Sequence, residues 1–362
     1  MDVSEIQIPD PKSQIPSPWL FSARVDLTIF LGSALLSLVA LWIGAEAGVL
    51  HDDTPDWAWV PAVLLIDVAH VHATWFRVYL APGEFRRRPW LYSLVPLIAL
   101  VIGVALYSEG EQLFWRTLAY VAVFHFVRQQ YGWVALYRRR LNESDAFGQW
   151  IDIATIYAVT LYPLIYWHTH LPRHFWWFLP NDFTSLPVFL DTMAKPLYWL
   201  LMLTYVAKSA YAWLLRHGGN PGKDIVVLTT AVCWYVGIVS FNSDYAFTVT
   251  NIIIHGVPYF ALVYWYSHTS HPHDVTPARS FILVRNPAWF LCSLWTFAYI
   301  EELLWDRNIW HERSWLFGHA WHTSDWTTLL VPLLALPQIT HYVLDGFLWK
   351  RTSNSAMDSF FP

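Results

Sequence analysis

Apolar stretches of about twenty residues recur along almost the whole chain, and that is the length an α-helix needs to cross the ~30 Å hydrocarbon layer of a bilayer. Hydrocarbon offers no water to main-chain N–H and C=O groups, so spanning segments fold only as helices or as a closed β-barrel. Barrel strands are about ten residues long and alternate in polarity. The runs here are longer and apolar throughout. The expected fold is therefore all-α, a polytopic integral-membrane helical bundle of about ten transmembrane helices. Their approximate limits are 27–48, 57–80, 89–108, 113–137, 149–167, 186–214, 224–241, 246–267, 287–305 and 326–349.

The composition agrees. Only 14% of the 362 residues are charged and 56% are hydrophobic, against ~25% charged in a typical soluble chain. The 24 tryptophans suit the membrane interfaces, where an apolar ring with one polar atom sits best. The net charge of −5 gives no sign of a nucleic-acid partner. Cys233 and Cys292 both fall in predicted spans, so neither a disulfide nor a thiolate metal site is expected. The proline-rich N-terminus lacks a basic segment followed by a short apolar core, and so does not read as a cleaved signal peptide.

Basic residues orient the spans. Arg86, Arg87, Arg88, Arg138, Arg139, Arg140, Lys208, Arg216, Lys223, Arg279, Arg285, Lys350 and Arg351 fall on one side. Arg173, Arg307 and Arg313 fall on the other, with acidic stretches such as HDDTPD. Basic loops stay cytoplasmic, which predicts both termini inside. Residues 1–26 then form a polar cytoplasmic arm, 27–350 a single transmembrane domain and 351–362 a short tail. Loops near 168–185 and 306–325 are candidate lids on the outer face.

Within this apolar frame sit His70, His125, His255 and His341, on the second, fourth, eighth and tenth predicted spans. An ionisable side chain at mid-bilayer costs ~2.5 kcal/mol or more unless it is paired or faces a cavity, so it marks a functional site by default. One such histidine is as well explained by a bond to a neighbouring helix. Four on separate spans point to something they bind together, and neutral imidazole suits iron, copper or zinc.

Helical spacing selects their neighbours. Asp67, His70, Thr74 and Arg77 fall at steps of three or four and share one face. His72 points to nearly the opposite side, which leaves it an additional candidate for a second ion. His125 aligns with Arg128 and Gln129, His255 with Asn251 and Tyr259, and His341 with Asp345. Asp67 and Asp345 are expected to orient imidazoles. Gln129, Tyr259, Arg128 and Asn251 are candidates for catalysis or substrate binding, and Pro258 for a kink.

Other histidines carry weaker patterns. His268, His271 and His273 have spacing like part of a desaturase histidine box, without the rest of that pattern; they read as a polar loop with accessory metal as the alternative. His168, His170, His174, His311, His319 and His322 lie in tryptophan-rich outer loops and read as interfacial, as do Glu301 and Glu302. No Gly-x-Ser-x-Gly elbow, phosphate-binding glycine loop or Cys-x-x-Cys-His haem site is present in the sequence. Haem held by two facing histidines remains an alternative.

Single histidines on several spans, the run His125-Phe-Val-Arg128-Gln129 and a late His341 with Asp345 resemble the bacterial membrane-bound carotene-cleaving dioxygenases. The resemblance covers short stretches at 67–77, 125–131 and 341–346. It implies a non-haem iron held by four histidines in a helical bundle and a bacterial cytoplasmic membrane as the setting. The chain departs from that family in its number of spans, in lacking a Pro-His-Gly start and in the spacing from His341 to Asp345. The resulting expectation is a membrane-embedded, iron-dependent oxidoreductase acting on a lipid-soluble substrate that enters from the bilayer, with an electron donor as a further partner. A transporter or channel using the same His and Asp side chains is one alternative. An acyl- or glycosyl-transfer enzyme with a single catalytic histidine is another.

Overall fold

The structure, a computed structural model, describes residues 17–81, 83–215, 218–269, 286–321 and 326–349. Of the described residues, 80% are helical and none is in a strand. In chain order the long helices are α1 (Ala23–Glu46), α2 (Asp56–Arg77), α3 (Pro89–Glu109), α4 (Glu111–Arg140), α5 (Ala146–Thr169), α6 (Phe189–Leu215), α7 (Pro221–Ser240), α8 (Asp244–Thr269) and α9 (Pro287–Trp305). A bent pair follows, α10 (Thr327–Leu334) and α11 (Leu336–Leu348).

Each expected segment is helical, but length and apolar composition alone qualify five helices to cross a membrane: α1, α2, α3, α7 and α8, or six with the bent pair taken as one. The others carry charged, histidine or tyrosine side chains that lower their hydropathy, as Asp152 and His168 do on α5. Outward faces are apolar: Leu35 and Trp42 on α1, Val101 on α3, Leu203 and Leu214 on α6 are all exposed. Such surfaces need a non-aqueous neighbour.

Helix starts follow local chemistry. Asn220 and Asn286 accept the main-chain N–H groups of Lys223 and Ala288, and Pro221 and Pro287 occupy the first turns, where a missing N–H costs nothing. The expected kink at Pro258 does not break α8, which runs through it as one helix. The sharp bend comes instead between α10 and α11, at 42°. Pro337 lies in the first turn of α11 and cannot donate back into α10.

Three basic residues read above as loop charges are held in one ion-pair network. Lys223 Nζ lies 3.0 Å from the fully buried Asp152 carboxylate, which Arg138 and Lys208 also reach. This network clamps the ends of α4, α5, α6 and α7. At the centre of the molecule α8 is buried from Tyr245 to Val263, apart from partly buried positions such as Val257 and Ala261. Gly256 lets it approach α2 closely: a Cβ there would lie 2.6 Å from Ile66 Cγ2 and 3.2 Å from the Ile66 carbonyl.

Candidate metal centre

The α2–α8 approach sets two of the four histidines facing each other. His70 follows a π-helical stretch of α2, Val60–Val68, and His255 precedes Gly256 on α8. α4 brings His125, and the turn after the α10–α11 break brings His341. All four are buried, at 1%, 5%, 0% and 0% relative exposure for His70, His125, His255 and His341. One donor nitrogen from each falls within 4.8 Å of every other. Ring centroids lie 4.7 Å apart for His70–His255, 4.9 Å for His70–His341, 4.5 Å for His125–His341 and 5.2 Å for His125–His255. Among the described residues, no other group of three or more His, Cys, Asp or Glu side chains gathers in this way.

The outer bonds decide which nitrogens point inward. His70 Nδ1 bonds the main-chain carbonyl of Asp67. A carbonyl only accepts, so Nδ1 carries the proton and Nε2 the lone pair. His341 Nδ1 lies 2.7 Å from Thr74 Oγ1, again leaving Nε2 for the centre. His255 Nε2 lies 3.1 Å from His70 Nε2, while the Nε2 atoms of His125 and His341 are buried without a partner. Adjacent nitrogens on a common ion at about 2.1 Å lie about 3.0–3.4 Å apart. The His70–His255 pair meets this spacing and the four donors gather within 4.8 Å, so the group could hold a metal ion.

Packing holds the rings. The Phe126 ring stacks on His255, with centroids 3.5 Å apart and planes at 9°. Gln129, one turn after His125, donates its amide to the His255 carbonyl at 2.8 Å and so ties α4 to α8. Its Oε1 has no partner, and neither does Oδ1 of the buried Asn251.

Several sequence expectations land elsewhere. Asp67 serves His70 through its main chain; its carboxylate is 3.6 Å from Nδ1, and the side chain keeps 32% exposure. The π-helical stretch lengthens the hydrogen-bond repeat just before His70, where a side chain can take a carbonyl. Asp345 stands 3.8 Å from His341 Nδ1, and Thr74 and Tyr259 lie between them by hydrogen bonds. Arg128 turns away from the centre to the Tyr157 hydroxyl and lies 4.6 Å over the Tyr131 ring. His72 is outside the group, with Nε2 2.8 Å from Glu301 Oε2. That contact lacks hydrogen-bond geometry. Glu301 and Glu302, expected at an interface, are buried on α9, and Asp67 lies within electrostatic reach of both.

His268 is exposed at the end of α8, while His271, His273 and His322 lie outside the described residues. His168 is engaged by the Leu164 carbonyl at 2.6 Å and by Tyr120 at 3.1 Å, and His170 by the Tyr166 carbonyl at 2.9 Å. His174, His311 and His319 are exposed. Thr74 and Phe126 were missed as site residues. Thr74 did share the His70 face, a periodicity signal that could have found it; the stacking of Phe126 leaves no mark in sequence.

Protein-family models, curated proteins and solved structures were all compared with the chain, and none matches. Its function is therefore argued from the geometry of this site.

Proposed function

We propose that the chain is an integral-membrane, metal-dependent oxidoreductase in which His70, His125, His255 and His341 hold a non-haem iron and the substrate is lipid-soluble. The observation that carries this reading is the convergence of four buried imidazole nitrogens, one of them, His70 Nε2, fixed as an inward lone pair by the bond of its other nitrogen to a carbonyl. An array of lone pairs in an apolar interior is costly unless a cation or a proton sits among them. Imidazole suits iron, copper and zinc alike. Iron follows from the resemblance to carotene-cleaving dioxygenases; copper and zinc are outcomes of the test.

Bound iron would supply redox chemistry toward dioxygen. The chain's own residues orient the ligands, pack the rings of Phe126 and Tyr342 against His255 and His125, and leave the Gln129 oxygen free to receive a polar group, whereas the Asn251 amide turns to Gly237 of α7. The five apolar helices support a membrane setting. The finer topology proposed is ten spans with both termini cytoplasmic, in a bacterial-type cytoplasmic membrane.

One observation favours a second reading. The 42° break just before His341 resembles the interrupted helices of transporters, and the same side chains would then line an ion path.

Elemental mass spectrometry on protein purified in mild detergent without a histidine tag tests the first reading. Near-stoichiometric iron, lost in each of the four His→Ala variants while helicity persists, supports it. No metal after anaerobic purification with iron supplied sinks it. Ion flux in reconstituted vesicles, abolished by His255→Ala, would establish the transporter reading.

A further inference from the structure

The outer nitrogen of His70 meets a main-chain carbonyl and that of His255 has no partner, whereas that of His341 meets a side-chain hydroxyl. Behind it a file of hydrogen bonds curves round to Asp345, whose Oδ1 is itself 3.8 Å from His341 Nδ1. Thr74 Oγ1 is 2.7 Å from His341 Nδ1 and 3.0 Å from Tyr259 Oη, and Tyr259 Oη donates to Asp345 Oδ1 at 2.6 Å. Thr74, Tyr259 and His341 are 1%, 1% and 0% exposed and the Asp345 side chain 9%, so water competes little for these bonds. The file spans three helices: α2 supplies Thr74, α8 supplies Tyr259 and α11 supplies both His341 and Asp345.

Its polarity is set from the far end. A carboxylate only accepts, so Tyr259 spends its single proton on Asp345 and must accept from Thr74. Thr74 thereby spends its own proton and must accept from His341. The imidazole is left as the Nδ1–H tautomer, with its Nε2 lone pair directed at the cage. Behind Asp345 lies the buried guanidinium of Arg77, within electrostatic reach of the carboxylate and 4.0 Å over the Tyr266 ring.

We propose that Thr74 and Tyr259 are positioning residues that link His341 by hydrogen bonds to the acceptor oxygen of Asp345, fixing its tautomer and strengthening it as a metal donor. The inference rests on the reading of the cage as a metal site. It goes beyond that reading by assigning a role to two hydroxyls that touch no metal. Outer partners of this kind typically change metal affinity by 10–100-fold when removed.

The test uses the full chain in detergent, with Thr74→Val, Thr74→Ser, Tyr259→Phe and the double variant Thr74→Val/Tyr259→Phe. Two readouts are taken: the affinity for ferrous ion by competition with a chelator, and the His341 tautomer in the metal-free protein by nitrogen-15 resonance. The expected result is a 10–100-fold weaker affinity for Thr74→Val, a wild-type affinity for Thr74→Ser and no further loss in the double variant, because both changes cut the same file. The metal-free protein should show the Nδ1–H tautomer, disturbed in Thr74→Val and kept in Thr74→Ser. Equal affinity and tautomer in wild type and Thr74→Val overturn the relay, as do losses that simply add. If Thr74→Val fails to fold, Tyr259→Phe and Thr74→Ser decide by the same two readouts. A wild-type protein with the Nδ1–H tautomer and no affinity for the ion overturns the metal reading, and with it the donor role, but leaves the tautomer assignment standing.

Discussion

His255 Nε2 lies 3.1 Å from His70 Nε2, with the two rings at 89° to each other. His70 Nε2 carries a lone pair because its other nitrogen donates to the Asp67 carbonyl. A proton on His255 can bridge that gap, but it satisfies only two of the four converging imidazoles. The Nε2 atoms of His125 and His341 stay unpartnered in the protein interior, where an unmet polar atom costs ~1–3 kcal/mol.

A ligand that meets all four nitrogens should therefore stabilise the fold as a whole. Iron at about a hundred times its dissociation constant contributes ~2.7 kcal/mol by mass action. The thermal midpoint in detergent should rise on iron addition and fall back on chelation. The His255→Ala variant should show no such rise. An identical shift in wild type and variant would place the ion elsewhere.

Asp67→Asn should retain metal with little loss of affinity. The bond that orients His70 comes from the main-chain carbonyl, and the side chain stands off at 3.6 Å with 32% exposure. Asparagine preserves both shape and carbonyl. A drop of more than about tenfold in iron affinity would show that the carboxylate, not the carbonyl, steers the imidazole.

Asp67 also shows where the sequence was legible and where it was not. Apolar runs located each helix to within a few residues, and ionisable residues in those runs picked out the four histidines. Both are strong local signals. Which atom of Asp67 faces His70 depends on a π-helical stretch, and no composition rule announces one in advance. Asp345 was found by its four-residue step from His341, but the two hydroxyls between them come from α2 and α8 and are joined only by tertiary packing. Glu301 and Glu302 looked interfacial because they lie near a helix end; their burial depends on how α9 sits against α2, where Trp295 bonds the Leu65 carbonyl at 2.9 Å.

Gly256→Ala should loosen the centre without touching a ligand. The new Cβ would meet Ile66 Cγ2 at 2.6 Å and the Ile66 carbonyl at 3.2 Å. The isoleucine methyl can rotate but the carbonyl cannot, so α2 and α8 must separate slightly. Overpacking of this kind costs ~1–3 kcal/mol. The chemical-denaturation midpoint should fall and iron affinity should weaken with it, because His70 and His255 are neighbours of the two clashing positions. Unchanged stability and affinity would mean that the helices are less tightly apposed than described.

His72→Phe separates the cage from the acidic side of α2. His72 and Glu301 are both buried and 2.8 Å apart, on the face opposite His70. Removing one member leaves the other's buried polar atoms facing an apolar group, and an unmet buried polar atom costs ~1–3 kcal/mol. His72→Phe should therefore lower stability, and the double variant His72→Phe/Glu301→Leu should recover part of the loss. Iron stoichiometry should stay at the wild-type value in both, because neither side chain reaches the four imidazole nitrogens. Loss of iron in His72→Phe at a temperature where helicity persists would instead make His72 a ligand, and the centre would then need a fifth donor or a second ion.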